Sequence, residues 1–266
     1  MSSSPAPARR TWYHTINLPS GPTPGYFDTR DAPRHVPWPA GLKGARGLDV
    51  GTFDGFWAFE MERRGVAEVV ALDLDDMARI DWAYDHRRSG PERIAEWGSE
   101  RGPGFREAAE ALGSKAVRVG RSVYDLDPAV DGTFDVVICG ALLLHLRDPV
   151  RALEAMRSVC RGSLLLVESV DPYLELAARR VPAARLCPEW DEWWRVNSAG
   201  LCTMAVTAGF RIAATGKRFL VPLGPGAPGE LRLSALAGVL CGRPGQRGLL
   251  TRAIRAEPRP PHDSPA

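Results

Sequence analysis

Residues Gly47 to Asp76 read GLDVGTFDGFWAFEMERRGVAEVVALDLDD, and the fold of the chain is decided there. An apolar strand, Leu48 to Val50, runs into a loop with glycine at 51 and 55, then a helical stretch, then a second strand ending at Asp73. Glycine lets the backbone turn sharply and approach a ligand with no Cβ in the way. The helix that follows starts with N–H groups that have no intrahelical partner. Asp73 lies 24 residues after Asp49, close to the spacing at which a carboxylate at the end of the second strand holds ribose hydroxyls in a nucleotide-binding βαβ unit. The G-x-G-x-x-G pyrophosphate pattern is absent, because Phe53 stands where its second glycine belongs.

Working outward, the pattern alternates. Strands are predicted at 48–50, 67–73, 116–120, 134–139 and 163–169, and helices over 55–65 and 149–160. Alternation of this kind argues for a parallel sheet with crossover helices. Asp148-Pro149 suits a helix start and Gly162 a helix end. A further helix is expected over 193–208, closed by Gly209, and FRIAATGKRFLVPL (210–223) suggests two late strands joined near Gly216. Before the core, residues 1–11 have the composition of a disordered tail. Residues 12–46 show no helix or strand pattern but carry Trp12, Tyr13, Tyr26, Phe27 and Trp38, too apolar for a free tail, so they are expected to form a cover or lid. Insertions fall at 77–115, which holds Trp82, His86, Arg87, Arg88 and Trp97, and at 171–192. The first exceeds an ordinary connection, so added helices are expected there. Residues 224–266 read as a C-terminal extension, with a short helix in LRLSALAGVL (231–240) and a disordered tail over 251–266.

The strand–loop–helix–strand unit, with Asp-x-Gly-x-x-x-Gly at 49–55, resembles motif I of class I S-adenosylmethionine-dependent methyltransferases. More of the chain extends the likeness: WYHTINLPSGPTPGYFDTR (12–30), SVYDLDP (122–128), FDVVICGALLLHLRDPVRAL (134–153), WWRVNS (193–198) and the Ala-Gly-Phe at 208–210. Together they are similar to the branch that contains the bacterial tRNA wobble-uridine carboxymethyltransferase and its shorter small-molecule relatives. The resemblance implies an α/β, Rossmann-like, seven-stranded, mostly parallel sheet with helices on both faces and the last strand antiparallel, spanning about 47–223. It implies S-adenosyl-L-methionine as cofactor. The glycine loop, with Asp49, Gly51, Thr52 and Gly55, would cradle its amino-acid end. Asp73, followed by Leu74, would hold its ribose, with Asp75 and Asp76 as rivals. Ser122 and Val123 would line its adenine, and Cys139 with Gly140 would border the reactive methyl.

Three residues stand out as general-base candidates: His145, just past the fourth strand, and His14 with Tyr13 in the aromatic segment. Each has a plain structural alternative, His145 as a turn residue bonded to backbone near Asp148 and His14 as a packed ring. His35 and His86 are weaker candidates. Cys139 reads as a small apolar strand-end residue and not as a nucleophile. Trp193, Trp194 and Asn197 read as helix core, with the qualification that adjacent helical side chains point about 100° apart, so one tryptophan would face the pocket or a partner. No His/Asp/Glu cluster has metal-site spacing.

Composition sets the outer bounds. At 266 residues, 44% hydrophobic and 25% charged, the chain has the balance of a globular domain, and a net charge of +2 gives no general case for a polyanionic partner. Only Lys43, Lys115 and Lys217 are lysines among 34 basic residues, a bias of the kind genomic GC content produces. Five scattered cysteines without a C-x-x-C pair point to reduced thiols and a cytoplasmic location. No apolar run is long enough for a membrane helix. The expected function is methyl transfer to an O, N or C atom of a small molecule, plausible in secondary metabolism. A tRNA-modifying methyl- or carboxymethyltransferase and a catalytically silent cofactor-binding protein are the alternatives, and a homodimer is an open option.

Overall fold

The computed structural model describes residues 12–76, 79–83, 102–187, 192–227 and 248–260. Its frame is one mixed eight-stranded sheet. In chain order the strands are β1 (Arg46–Val50), β2 (Glu68–Asp73), β3 (Val117–Gly120), β4 (Phe134–Gly140), β5 (Cys160–Ser169), β6 (Phe210–Thr215), β7 (Phe219–Val221) and β8 (Leu249–Pro258). The spatial order is β6-β8-β5-β4-β1-β2-β3, with β7 also on β8. The β1 to β5 pairings are parallel, and every pairing of β8 is antiparallel. The expected count of seven becomes eight because Leu249–Pro258 joins the sheet as β8, with the two expected late strands β6 and β7 end to end along it. The sheet is accordingly mixed.

Parallel strands buried on both faces read as continuous apolar runs, and the middle strands feed two cores by alternation. Val137 and Cys139 point to one face while Val136 and Ile138 point to the other, as do Leu164/Leu166 against Leu165/Val167. The first core is closed by α3 (Pro149–Val159) and α5 (Ser198–Thr207). The second is closed by α1 (Phe56–Arg63) and α2 (Pro103–Leu112), together with Trp12, Ile16, Phe27, Ala32 and Val36 of the N-terminal segment. That segment packs as a cover and is more ordered than its pattern suggests. Trp12–His14 pairs in parallel with Gly25–Phe27, and Asn17–Leu18 pairs with Gly21–Pro22.

Asp148 caps α3 as expected, accepting from Arg151 N–H at 3.0 Å. The helix passes into β5 at Cys160 with no glycine cap. Gly162 instead lies inside β5, where an added Cβ would stand 2.1 Å from the Asp135 carbonyl oxygen.

Three expectations are corrected. Residues 193–197 are not helical: Trp194–Val196 is a strand paired with Ala184–Leu186, and Asn197 caps α5. The Asn197 side chain accepts from Gly200 and Ala183 N–H and donates to the Ala178 and Val181 carbonyls, so it anchors the 171–187 insertion and is not helix core. Most consequentially, residues 251–258 are no tail. They form most of β8, which sits between β5 and β6 with Ala253, Ile254 and Ala256 fully buried. The expected helix at 231–240, the terminal residues 1–11 and 261–266, and His86, Arg87, Arg88 and Trp97 lie outside the described residues. Because Ile254 is a core position, Ile254→Ala should cost about 2–5 kcal/mol in denaturant unfolding. A tail substitution would stay within about 0.5 kcal/mol.

Candidate functional site

At the carboxyl end of β1 the chain turns through Gly51 (φ 79°), Phe53 (φ 49°) and Gly55 (φ 94°). Phe53 is a non-glycine residue held left-handed, a conformation that needs support from its surroundings. Asp73 supplies it. Its Oδ2 accepts the Phe53 N–H at 2.8 Å, and its Oδ1 accepts that of Leu74 at 2.7 Å. At Gly55 an added Cβ would lie 2.4 Å from the Phe59 ring, so both the conformation and the space demand glycine.

Asp49 stands behind the loop with no solvent exposure. Its Oδ2 accepts the Ala58 N–H in the first turn of α1 at 3.0 Å. Its Oδ1 and the Thr52 Oγ1 are buried and have no hydrogen-bond partner among the described residues. Burial pushes the Asp49 carboxyl up to about 7, outweighing the opposing pull of Thr52, His14 and the Ala58 N–H. A cationic ligand group at the loop would restore its charged form. This unmatched acid and hydroxyl under a glycine cradle fit the cationic amino-acid end of S-adenosylmethionine.

The other expected cofactor residues gather at the same edge. Ser122 lies just past β3 and caps the turn Val123–Asp125, and the Val123 side chain is core. Cys139 is fully buried beside Glu168, and burial holds its thiol well above the usual range, so it is no nucleophile. Asp75, the rival of Asp73, is committed to an ion pair with Arg118. Among the described residues no cluster could hold a metal ion, Cys139, Cys160, Cys187 and Cys202 are free thiols, and no helix is long and apolar enough to cross a membrane.

Beside the loop opens a cleft under the N-terminal segment. Its floor is Gly140 and Ala141 at the end of β4, with Ser169 of β5 and Thr251 of β8. Its roof is the N-terminal cover, contributing Tyr13, His14, Phe27 and Thr29. Two of the three proposed bases, Tyr13 and His14, therefore meet here. His145 does not line this cleft. It ends the turn Leu143–His145, with its N–H on the Leu142 carbonyl at 2.9 Å, and the N–H of Asp148 goes to the Tyr124 hydroxyl.

Sequence reasoning missed three acids. Asp54, inside the glycine loop, pairs its Oδ1 with His14 Nδ1, and its Oδ2 accepts the N–H groups of Tyr13 (3.0 Å) and His14 (2.8 Å). Glu168, at the end of β5, accepts the N–H groups of Leu142 (3.0 Å) and Leu143 (3.2 Å), and burial raises its carboxyl to about 7. Asp81 ties four segments together. Its carboxylate accepts from Tyr124 Oη (2.8 Å) and Arg147 N–H (2.9 Å), and its carbonyl accepts from the Trp193 indole. The Trp194 indole donates to the Arg147 carbonyl at 3.1 Å, so both tryptophans brace the loop after β4. The available signal was an acid inside an apolar run (LLLVES) or inside a glycine loop, since a buried carboxylate requires donors.

The comparisons follow from this geometry. Residues 30–213 match the methyltransferase domain family. The chain belongs to it. It is an S-adenosylmethionine-dependent methyltransferase in class, in keeping with the Asp49-x-Gly51 loop. Among curated proteins it is 26% identical over 183 residues to a ubiquinone biosynthesis O-methyltransferase of Neisseria meningitidis serogroup C (strain 053442), covering 66% of this chain and 68% of that one. Among solved structures it shares its fold with two proteins. The Burkholderia thailandensis 1,6-didemethyltoxoflavin-N1-methyltransferase, solved with 1,6-didemethyltoxoflavin and S-adenosylhomocysteine bound, has 15% identity, TM-score 0.51 and 82% and 72% of the two chains covered. A putative methyltransferase from Haloferax volcanii, solved in complex with the activator Trm112, has 15% identity, TM-score 0.53 and 89% and 91% covered.

Glu168 and Asp49 set a pH dependence. Each carboxyl titrates near 7 when folded and near 4 when unfolded. The folded state therefore keeps protons that the unfolded state releases, and stability falls as pH rises from about 4 to 7. Each acid contributes a loss of about 3–4 kcal/mol by pH 8, as an order of magnitude. Glu168→Gln keeps an acceptor for the Leu142 and Leu143 N–H groups and should remove roughly its own share of that slope. Urea unfolding of both proteins at pH 5 and pH 8 reads the difference.

Proposed function

We propose that the protein transfers the methyl group of S-adenosylmethionine to an uncharged small molecule held in the cleft between the N-terminal cover and the carboxyl ends of β4 and β5. The observation that carries the reading is the adjacency of this cleft to the glycine loop through the Asp54 carboxylate, which belongs to the loop and binds the cover. Among the described residues the lining holds no lysine, arginine, aspartate or glutamate, and Tyr13, Thr29, Ser169 and Thr251 supply its hydroxyls. Such a lining suits an apolar acceptor with a few polar groups and gives a phosphate backbone nothing to bind, so the small-molecule reading is preferred to the tRNA one. The Burkholderia protein is named for methylation of 1,6-didemethyltoxoflavin and the Neisseria protein for O-methylation in ubiquinone biosynthesis, both small-molecule chemistry. A biosynthetic, secondary-metabolic role is in keeping with that.

Gly51, Gly55 and Asp49 would hold the amino-acid end of the cofactor. Asp73 would hold its ribose while keeping Phe53 in place, and Ser122 and Gly140 would border the remainder. When bound, the cofactor supplies a methyl group already activated as a sulfonium. The chain's own task is alignment and exclusion of water, and well-oriented reactants gain up to about 7–11 kcal/mol from positioning. Trp57, Phe27 and Val221 wall the cleft against solvent.

Calorimetric titration with S-adenosylmethionine and S-adenosylhomocysteine, with NAD as control, tests the cofactor assignment. Binding of the first two and not of NAD is expected, and absence of binding would overturn it. Asp73→Ala removes a charged acceptor and the support of Phe53. It should weaken S-adenosylmethionine binding by about 10–100-fold, the loss of a charge-assisted hydrogen bond. An unchanged affinity would remove Asp73 from the site.

A further inference from the structure

We propose that His14 and Asp54 form a general-base pair and that the acceptor group is a weakly acidic phenolic hydroxyl on an uncharged molecule. The inference rests on the methyl-transfer reading and specifies its acceptor. His14 is 4% exposed and Asp54 1%, so the pair is screened from bulk water on every side but the cleft. A carboxylate only accepts, so Nδ1 is the nitrogen that donates to Asp54, which leaves Nε2 as the atom positioned to take a proton from an acceptor in the cleft. Nε2 makes no hydrogen bond among the described residues, and the ring lines the cleft.

The ring is fixed in that orientation by three independent contacts. Phe56 stacks on it with ring centroids 5.4 Å apart, Tyr13 meets it edge-on at 4.8 Å, and Asp54 holds both its Nδ1 and its own backbone N–H. A carboxylate in this position sets the tautomer and stabilises the imidazolium that forms when the ring takes a proton. The charged or titratable groups around the imidazole are Asp54 of the loop, Asp49 of β1 and Tyr13 beside it.

Besides tying the cover to the loop, such an arrangement serves an acceptor that must lose a proton to become nucleophilic. The hydroxyl proton moves to Nε2 as the oxygen forms its bond to the methyl carbon. The carbon–sulfur bond breaks with its electron pair left on sulfur, and the imidazolium then releases the proton to solvent. A cleft with aromatic and aliphatic walls, and no Lys, Arg, Asp or Glu among its described lining residues, suits a ring-bearing acceptor.

The test, run at about pH 8.5, uses catechol, whose hydroxyl is still mostly protonated there, and 4-nitrophenol, which is then largely ionised. S-adenosylhomocysteine formation is the rate signal. His14→Gln should slow catechol methylation by about 10²-fold or more and leave 4-nitrophenol methylation within a few-fold, with calorimetric affinity for S-adenosylmethionine unchanged. Asp54→Asn still accepts the two backbone N–H groups but turns an amide donor toward Nδ1, so it should match the catechol loss. Histidine ¹⁵N NMR should then show the His14 proton moved from Nδ1 to Nε2. Equal slowing of both phenols, a His14→Gln protein that no longer binds S-adenosylmethionine, or an unaltered tautomer in Asp54→Asn overturns the pair. A wild-type protein that binds S-adenosylmethionine and methylates neither phenol overturns the acceptor assignment alone. Failure to bind S-adenosylmethionine overturns the methyl-transfer reading beneath it.

Discussion

A carboxylate taken out of water is stable only where N–H groups replace the lost hydration, and this chain buries Asp49, Asp54, Asp73 and Glu168 along the carboxyl edge of one sheet. Each acid solves the problem the same way, by binding backbone N–H groups of a neighbouring segment. Asp49 takes the start of α1, Asp73 the middle of the glycine loop, Asp54 the N-terminal cover, and Glu168 the turn after β4. The requirement to satisfy the acids is thus what fixes the loops. Replacing one by an apolar residue would release a segment and leave orphan N–H groups, a double loss at a single position.

The scheme explains why the edge can be polar without being loose. Neutral hydrogen bonds to backbone add only about 1 kcal/mol each, whereas charge-assisted ones are about twice as strong and shorter. Around this inner ring runs an outer one, in which Asp81 gathers Tyr124, Arg147 and Trp193. Asn197 does the same for the 171–187 segment with no charge at all. Both rings hold irregular chain to a regular sheet, which is how a parallel sheet presents a shaped site at its carboxyl end.

Much of this was legible in the sequence. Strand, glycine loop, helix and Asp73 fell where the 47–76 stretch placed them, because local turn chemistry and apolar runs decide such a unit. The capped helix after Asp148 followed for the same reason. What failed depended on distant partners. Nothing local marks TRAIRAEP as a strand, since Arg252, Arg255 and Glu257 dilute its apolar signal and only β5 and β6 supply the burial that makes it one. Trp193 and Trp194 suggested a helix because the apolar residues that follow continue the pattern, yet their indoles are spent on carbonyls of other loops. The spacing placed Asp73, Gly51 and Gly55 around one loop, and the structure brings them together there. Asp54 and Glu168 were not, because their value arises from which N–H groups come to lie opposite them.

The two halves of the site also differ in how far apart in the chain their parts lie. The glycine cradle is assembled from residues 49 to 73, all near neighbours, so it can form by short loop closures. The cleft needs residue 14 to meet residue 169 and residue 251, and Phe27 to bridge to Leu223, closures that are slow because their entropy must be lost before any contact rewards it. During synthesis on a ribosome, the nucleotide-shaped half can therefore take form while the acceptor half waits for β8. On these entropic grounds the expected order of assembly is glycine loop first and cleft last.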